Sequence, residues 1–479
     1  MLQISKDNFG DDHPRTLSAL SSLASSYFHA GKNEKAIELS EQVLQSEKTN
    51  RGLDHPVTLV AMSNLATGYE KAGRHSEALQ LTEQIVKLRE SKLGEDHPHT
   101  LSSIADLAAL YMRTGRKDEA IKLQESVLEV QKSKPGINHP VTMRTLSNLA
   151  ACLRENGQHK RATELNQQAF ELRTTNLGPE HPDTMVSMHS LATCYFASGE
   201  IARSIELHER TLRLRQDKLG PDHPETLTSM VSLGHSLSRS GKINEAIELT
   251  QKALQLQDAK GGAKCADTGS WFETLMYCHL RTKKIDKAID ALEKAVEFRT
   301  ALNANGPDTR KSIALLANLY SRAGQTDKAI IRFEDLLVLL VQQPGRGAPE
   351  TLDSQISLGK LLTKKDSSRA VELLTEVYET RSSKSPEGWT TFDAQSALGE
   401  ALFHQGTMSE ADKHLQTAYS GLSRVMDRIP ANSRTKTMLE AIDRLILFAK
   451  KTGDEESINK WTTEKEALVQ KLNASRAKQ

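Results

Sequence analysis

The dipeptide His-Pro starts at His13, His55, His97, His139, His181 and His223, each 42 residues after the last. A step kept so strictly means that one supersecondary unit is copied along the chain, and the fold must be built by stacking copies. Other rows keep the same step. Glycine recurs at Gly10, Gly52, Gly94, Gly136, Gly178, Gly220 and Gly262, and again at Gly31, Gly73, Gly115, Gly157, Gly199 and Gly241. Leucine recurs at Leu23, Leu65, Leu107, Leu149, Leu191 and Leu233. After the His-Pro pairs fade, Cys265 stands at the next histidine position and Thr268 keeps the threonine of His-Pro-x-Thr. Pro307-Asp308-Thr309 and Pro349-Glu350-Thr351 are once more 42 apart, while Gly324 with Ala329 and Gly406 with Ala411 mark later units.

Each unit reads as two helices. In the second unit Pro56 opens a helix, where its missing N–H would be unpaired in any case. Leu59, Met62, Leu65, Ala66 and Tyr69 follow at helical spacing. Gly73 breaks the pattern, and Ala78, Leu81, Ile85 and Leu88 form a second apolar stripe that ends at Leu93-Gly94. A glycine there can take the left-handed conformation that closes a helix. Neither helix can bury its stripe alone, so neighbouring hairpins stack. No segment alternates with the period of a strand. The fold expected is all-α, a right-handed superhelical solenoid of helix-turn-helix repeats. Residues 1–12 are expected to be the second helix of a partial unit, 13–264 six regular repeats, 265–431 about four degenerate ones, and 432–479 capping helices.

Composition narrows the function. The 479 residues carry 63 Lys+Arg against 62 Asp+Glu, a net charge of +1, and only 4% are aromatic. Nucleic-acid binding by phosphate neutralisation needs a basic surplus, and single-strand binding needs stacking rings; neither is present. No run approaches the roughly 18 apolar residues of a membrane span. The first residues lack a signal-peptide layout, and four cysteines in so long a chain suit a reducing compartment. A cytoplasmic location is therefore expected.

Leu65-Ala66-x-x-Tyr69, then Gly73, then Ala78 resembles the tetratricopeptide repeat, and Leu-Gly-x-x-His-Pro-x-Thr-Leu in a 42-residue unit is similar to its kinesin-light-chain type. Trp389 to Gly399 and Glu440 to Ile446 resemble the C-terminal region of planctomycete-type bacterial tetratricopeptide proteins, some of which carry a serine/threonine kinase domain. The resemblance implies a peptide-binding groove lined by the first helix of each unit. It also raises an alternative, a regulatory or targeting module of a serine/threonine kinase system; a further alternative is a structural homo-oligomer stacking through its uncapped N-terminal face. Met1-Leu2 falls in register with Val43-Leu44 inside a second helix. The expectation is that the natural protein extends upstream or that another chain covers this end.

No phosphate loop, nucleophile–base pair or other catalytic constellation occurs, so the chain is not expected to be an enzyme or to need a cofactor. The six histidines in register cannot share a metal: packed helices lie about 8–10 Å apart, whereas zinc ligands lie about 2.0–2.3 Å from the ion. They are expected to serve the turn. Cys152, Cys194 and Cys278 share a small-residue register and are expected to be buried and inert. The face of each first helix that packing leaves free passes through Asn64, Lys71, Arg113, Arg144, Asn148, Arg154, Arg239 and Arg281. Asn64 and Asn148 match the family position whose amide bonds a peptide backbone. Lys71, Arg113, Arg239 and Arg281 share one register. Arginine grips carboxylate or phosphate with two parallel bonds, so an acidic or phosphorylated protein partner is expected.

Overall fold

The computed structural model describes residues 2–29, 32–259, 268–342 and 344–476. Gly31, Gly262, Cys265 and the Gly261–Lys264 junction lie outside the described residues, as do the side chains of His29 and Leu472. Among the described residues there are 23 α-helices, one 3-10 turn at Met426–Arg428 and no strand. They gather into two compact units, Met1–Lys283 and Lys284–Gln479.

In the N-terminal unit the leading helices of the repeats include Pro56–Lys71, Pro98–Arg113, Pro140–Glu155, Pro182–Ser198 and Pro224–Ser240. The trailing helices include Asn33–Arg51, His75–Leu93, Lys117–Ser133, His159–Leu177, Ile201–Leu219 and Ile243–Ala259. Each pair meets through small residues: Ala78, Ala120, Ala162 and Ala246 are wholly enclosed, so the two backbones approach closely. Leu59, Met62 and Leu65 of the leading helix pack with Ile85 of the trailing one, and comparable clusters recur along the unit. Fully burying one such side chain stabilises by about 1.5–3 kcal/mol.

The repeated octapeptide Leu-Gly-x-x-His-Pro-x-Thr is a turn in which each residue type has a task. Glycine ends the trailing helix at positive φ, 90° at Gly94 and 94° at Gly220, a region closed to most side chains. The histidine caps the next helix. Its Nδ1 accepts the backbone N–H two residues on, at 3.1–3.3 Å, for His13, His55, His97, His139, His181 and His223 alike. This satisfies one of the donors that a helix start leaves unpaired. Proline follows at the first helical position. The threonine hydroxyl of Thr16, Thr142 and Thr226 donates back to the carbonyl of the preceding glycine at 2.7–2.8 Å. The histidine row is structural.

Two polar rows tie successive repeats together at several junctions. Arg89, Arg173 and Arg215 share one register on the trailing helices and insert into the following leading helix. Arg89 donates to the His99 carbonyl (3.1 Å) and the Ser103 hydroxyl. Arg173 donates to the hydroxyls of Ser187 and Ser147. Arg215 donates to the Glu225 carbonyl (3.0 Å) and Ser229 (2.8 Å) and pairs with the Glu225 carboxylate. Burial pulls all three guanidinium pKa values down, and Asp106, Asp183 and Glu225 respectively oppose that pull. In the second row, tyrosine hydroxyls donate back to the previous trailing helix: Tyr69 to Glu41 (2.6 Å) and Tyr111 to Glu83 (3.0 Å). Arg173→Ala strands the Ser187 contact in a closed interface and is expected to cost the N-terminal unit about 2 kcal/mol. Urea unfolding read by circular dichroism checks it.

The C-terminal unit keeps the pattern with less regularity. Its helices run from Ile285–Leu302 through Pro307–Arg322, Thr326–Gln342, Pro349–Leu362, Ser367–Lys384, Trp389–Gln405 and Met408–Arg424 to Ala431–Thr452 and Glu455–Arg476. Arg299 and Arg381 repeat the arginine contact, to Ser312 and to the Thr390 carbonyl. At the end Phe392, Leu415, Tyr419, Leu422, Ile442, Leu445 and Leu468 form one core, with Trp461 edge-on to Tyr419 at 5.5 Å.

Candidate functional site

A leading helix has one stripe committed to its own trailing helix and another to its neighbours. What remains is a strip facing away from the core, and between successive leading helices this strip forms clefts. Ser25, Phe28, Asn64, Thr67 and Lys71 line one of about 210 Å³. Ser63, Thr67, Glu70 and Asp106 line the next, of about 130 Å³. Ser102, Ala105, Gln131, Arg144, Thr145 and Asn148 line a third, of about 1110 Å³.

Of the eight residues expected from sequence, the structure thus brings together Asn64 with Lys71 and Arg144 with Asn148. Asn64 and Asn148 are exposed, and neither amide bonds to the described residues. The other cations are largely engaged within the protein. Arg113 pairs with Glu70 at 2.8 Å, and Arg154 lies 3.6 Å from Glu155. Arg239 sits over the Phe196 ring at 5.0 Å, and Lys71 lies 5.8 Å from the Phe28 ring. Arg281 donates to the Ser238 carbonyl. Arg144 makes no ion pair or hydrogen bond among the described residues; its charge is felt by Asp106, whose carboxyl is raised by burial against the pull of Arg89 and Arg144. Of the basic strip read from sequence, Arg144 is the member with no ion pair, side-chain hydrogen bond or ring contact among the described residues.

Sequence reasoning missed the arginine row, Glu70 and Gln131. The row has a visible signal, since arginine keeps the repeat step at residues 89, 173 and 215 while serine keeps it at 103, 187 and 229. Two histidines of the leading helices find partners within the protein. His189 packs edge-on against His208 at 5.1 Å, and His235 Nε2 lies 2.6 Å from the Thr274 hydroxyl. Burial, then the charge of Arg215, lowers the His189 pKa to about 4; burial, then His189, lowers that of His208 to about 3. Cys152, Cys194 and Cys278 are buried free thiols, and burial raises all three pKa values, that of Cys152 to about 11. A thiol so placed is a poor nucleophile. Among the described residues no cluster of His, Cys, Asp or Glu is arranged to hold a metal ion, and no helix is long and apolar enough to cross a membrane.

A family model for the tetratricopeptide repeat matches residues 15–91, 57–133, 99–175, 141–217, 183–259 and 267–340. Among solved structures, the kinesin-light-chain-like, nearly identical TPR-like repeats of Podosopora anserina are 32% identical, over 43% of this chain and 97% of theirs, with a TM-score of 0.39. BtubC (BKLC) of P. vanneervenii is 20% identical over 51% of this chain and 92% of its own, with a TM-score of 0.39. A tetratricopeptide repeat protein of Parabacteroides merdae is 13% identical over 62% and 99%, with a TM-score of 0.42. No curated protein matches the sequence. The overlapping matches take in well over half of the chain, which belongs to the tetratricopeptide repeat family.

Proposed function

We propose that this chain is a non-catalytic interaction scaffold whose leading-helix strip holds an acidic or phosphorylated peptide segment of a partner protein. Tetratricopeptide repeat proteins generally mediate protein–protein interactions, and the strip is the surface that stacking leaves available. The observation that carries the reading is the pairing of Arg144 with Asn148. They lie one turn apart, both exposed and both without an internal bond, on the wall of a cleft of about 1110 Å³. An unpaired guanidinium supplies a fork for carboxylate or phosphate, and an amide beside it supplies a donor and an acceptor for peptide backbone.

The test is a pull-down with immobilised glutamate-rich and phosphoserine peptides. Arg144→Glu combined with Asn148→Ala is expected to weaken capture at least tenfold, about 1.4 kcal/mol. Arg113→Glu, whose native charge is already met by Glu70, is expected to matter far less. Equal capture by the native chain and the double variant would remove the reading.

A further inference from the structure

The cleft beside Arg144 exists because one junction departs from its neighbours. At three other junctions of the N-terminal unit the space between a trailing helix and the next leading helix holds the guanidinium of Arg89, Arg173 or Arg215. The residue in that register here is Gln131. A carboxamide branches two bonds short of where a guanidinium does, and at this junction Gln131 lines the cleft of about 1110 Å³. The hydroxyl that receives the arginine changes too: Thr145 stands in the register of Ser103, Ser187 and Ser229, and Ala105 in that of Ser147. The balancing carboxylates have gone as well. Asn148 occupies the register of Asp106, and Val141 that of Asp183 and Glu225. The positions that face the guanidinium at the other junctions are therefore uncharged here, while Asp96, Glu129, Lys134 and Arg144 stand on the walls of the cleft.

The junction is also unsatisfied. Gln131 is only 3% exposed, and its Oε1 is enclosed with no hydrogen-bond partner although the residue lines an open cleft. A buried acceptor without a donor is costly, and a guest that supplies one recovers that cost. We propose that this pocket takes the carboxamide side chain of an asparagine or glutamine from the guest peptide. On binding, the Gln131 carboxamide turns toward the cleft, where the guest N–H donates to its Oε1 and the guest C=O accepts from its Nε2, so the two amides pair reciprocally. A guest arginine would enter without the carboxylate that its counterparts at the other junctions face. A guest carboxylate would meet the unpartnered Gln131 oxygen, and an alkyl group would leave that oxygen unpaired. This inference rests on the peptide-groove reading and adds the side-chain chemistry of one pocket.

The test uses the full chain and its Gln131→Arg variant, selected in parallel against one random-peptide library. In the variant the arginine has the Thr145 hydroxyl and the Val141 carbonyl within its register, as Arg89 has Ser103 and His99, and an unchanged or higher melting temperature shows that the fold is kept. Peptides that bind the native chain and lose tenfold or more with Gln131→Arg are expected to share Asn or Gln at one position. Changing that residue to Ala, Asp or Lys is expected to weaken binding tenfold or more. Gln131→Ala, which leaves the pocket open, is expected to bind the amide peptide and its Ala variant alike, both near the weaker affinity that the Ala variant has for the native chain. The proposal falls if Gln131→Arg leaves affinities within twofold, or if the lost peptides share no Asn or Gln at any position. Binding that resists Gln131→Arg but fails with Arg144→Glu and Asn148→Ala removes this inference and leaves the groove standing. A native chain that selects no peptide removes both.

Discussion

Arg444→Ala is expected to lower the stability of the C-terminal unit by about 3–5 kcal/mol, the usual consequence of stripping one partner from an enclosed ion-pair network. Arg444 sits on the helix Ala431–Thr452 with its side chain 8% exposed, and its Nε donates to Glu400 at 2.6 Å. Its other nitrogens reach the Ser396 hydroxyl (3.2 Å) and Glu440 (3.4 Å). Lys360 closes the network from another helix, 3.1 Å from Glu440 and 3.4 Å from Asp393. Burial alone would lower the Arg444 pKa, but Glu400, Asp393 and Glu440 outweigh it and hold the group above its ordinary value. Burial likewise pushes the Glu440 carboxyl up, and Lys360 and Arg444 more than reverse this. Without Arg444, Glu400 loses its partner, and Glu440 and Asp393 are left to Lys360 and, for Glu440, the exposed Lys436. Amide exchange should quicken across residues 389–452, and Glu400→Gln in the same chain should recover part of the loss. Protection equal to the native chain would show that the network contributes nothing.

The second large effect is on pH. An unfolded histidine titrates near 6.5, whereas burial holds His189 at about 4 and His208 at about 3. Between pH 6.5 and 4 the unfolded chain therefore binds protons that the folded chain refuses, and stability falls as the solution is acidified. At about 1.4 kcal/mol per pKa unit, the loss is on the order of 3 kcal/mol for each imidazole by pH 4. It should be confined to the N-terminal unit, around the helices Pro182–Ser198 and Ile201–Leu219. Urea midpoints at pH 7, 5.5 and 4.5 measure it. A chain with His189→Asn and His208→Asn should show a flatter pH dependence, and an unchanged slope would place the acid sensitivity elsewhere.

What the sequence made legible is whatever recurs with the step of 42. The glycine that closes a helix, the histidine that caps the next and the apolar stripes are each repeated often enough to be read without coordinates. The arginine row recurs too, but Glu47, Gln131 and Gln257 interrupt it, and its serine partners lie across a helix boundary. Periodicity within a single helix therefore gives no hint of the contact. Charge in the groove was legible only as position. Arg113 falls in a basic register, yet Glu70, which neutralises it, lies on the previous leading helix in a register where Met112 and Arg154 follow. Aperiodic partners of this kind decide which cations remain available, and folding has to bring them together before they can be seen. The Arg444 network is similar: its members come from three separate helices with no shared spacing.

The arginine contacts of the N-terminal unit reach only as far as the next repeat, so nothing in them records how many repeats there are. If residues 181–222 were excised, Glu180 would join His223 and Arg173 would meet Ser229 in place of Ser187, another hydroxyl in the same register. The seam would reseal with the bonds it had. A gene for such a chain can therefore grow or shrink by in-frame recombination in whole-repeat steps, changing how long a guest it spans without redesigning any interface.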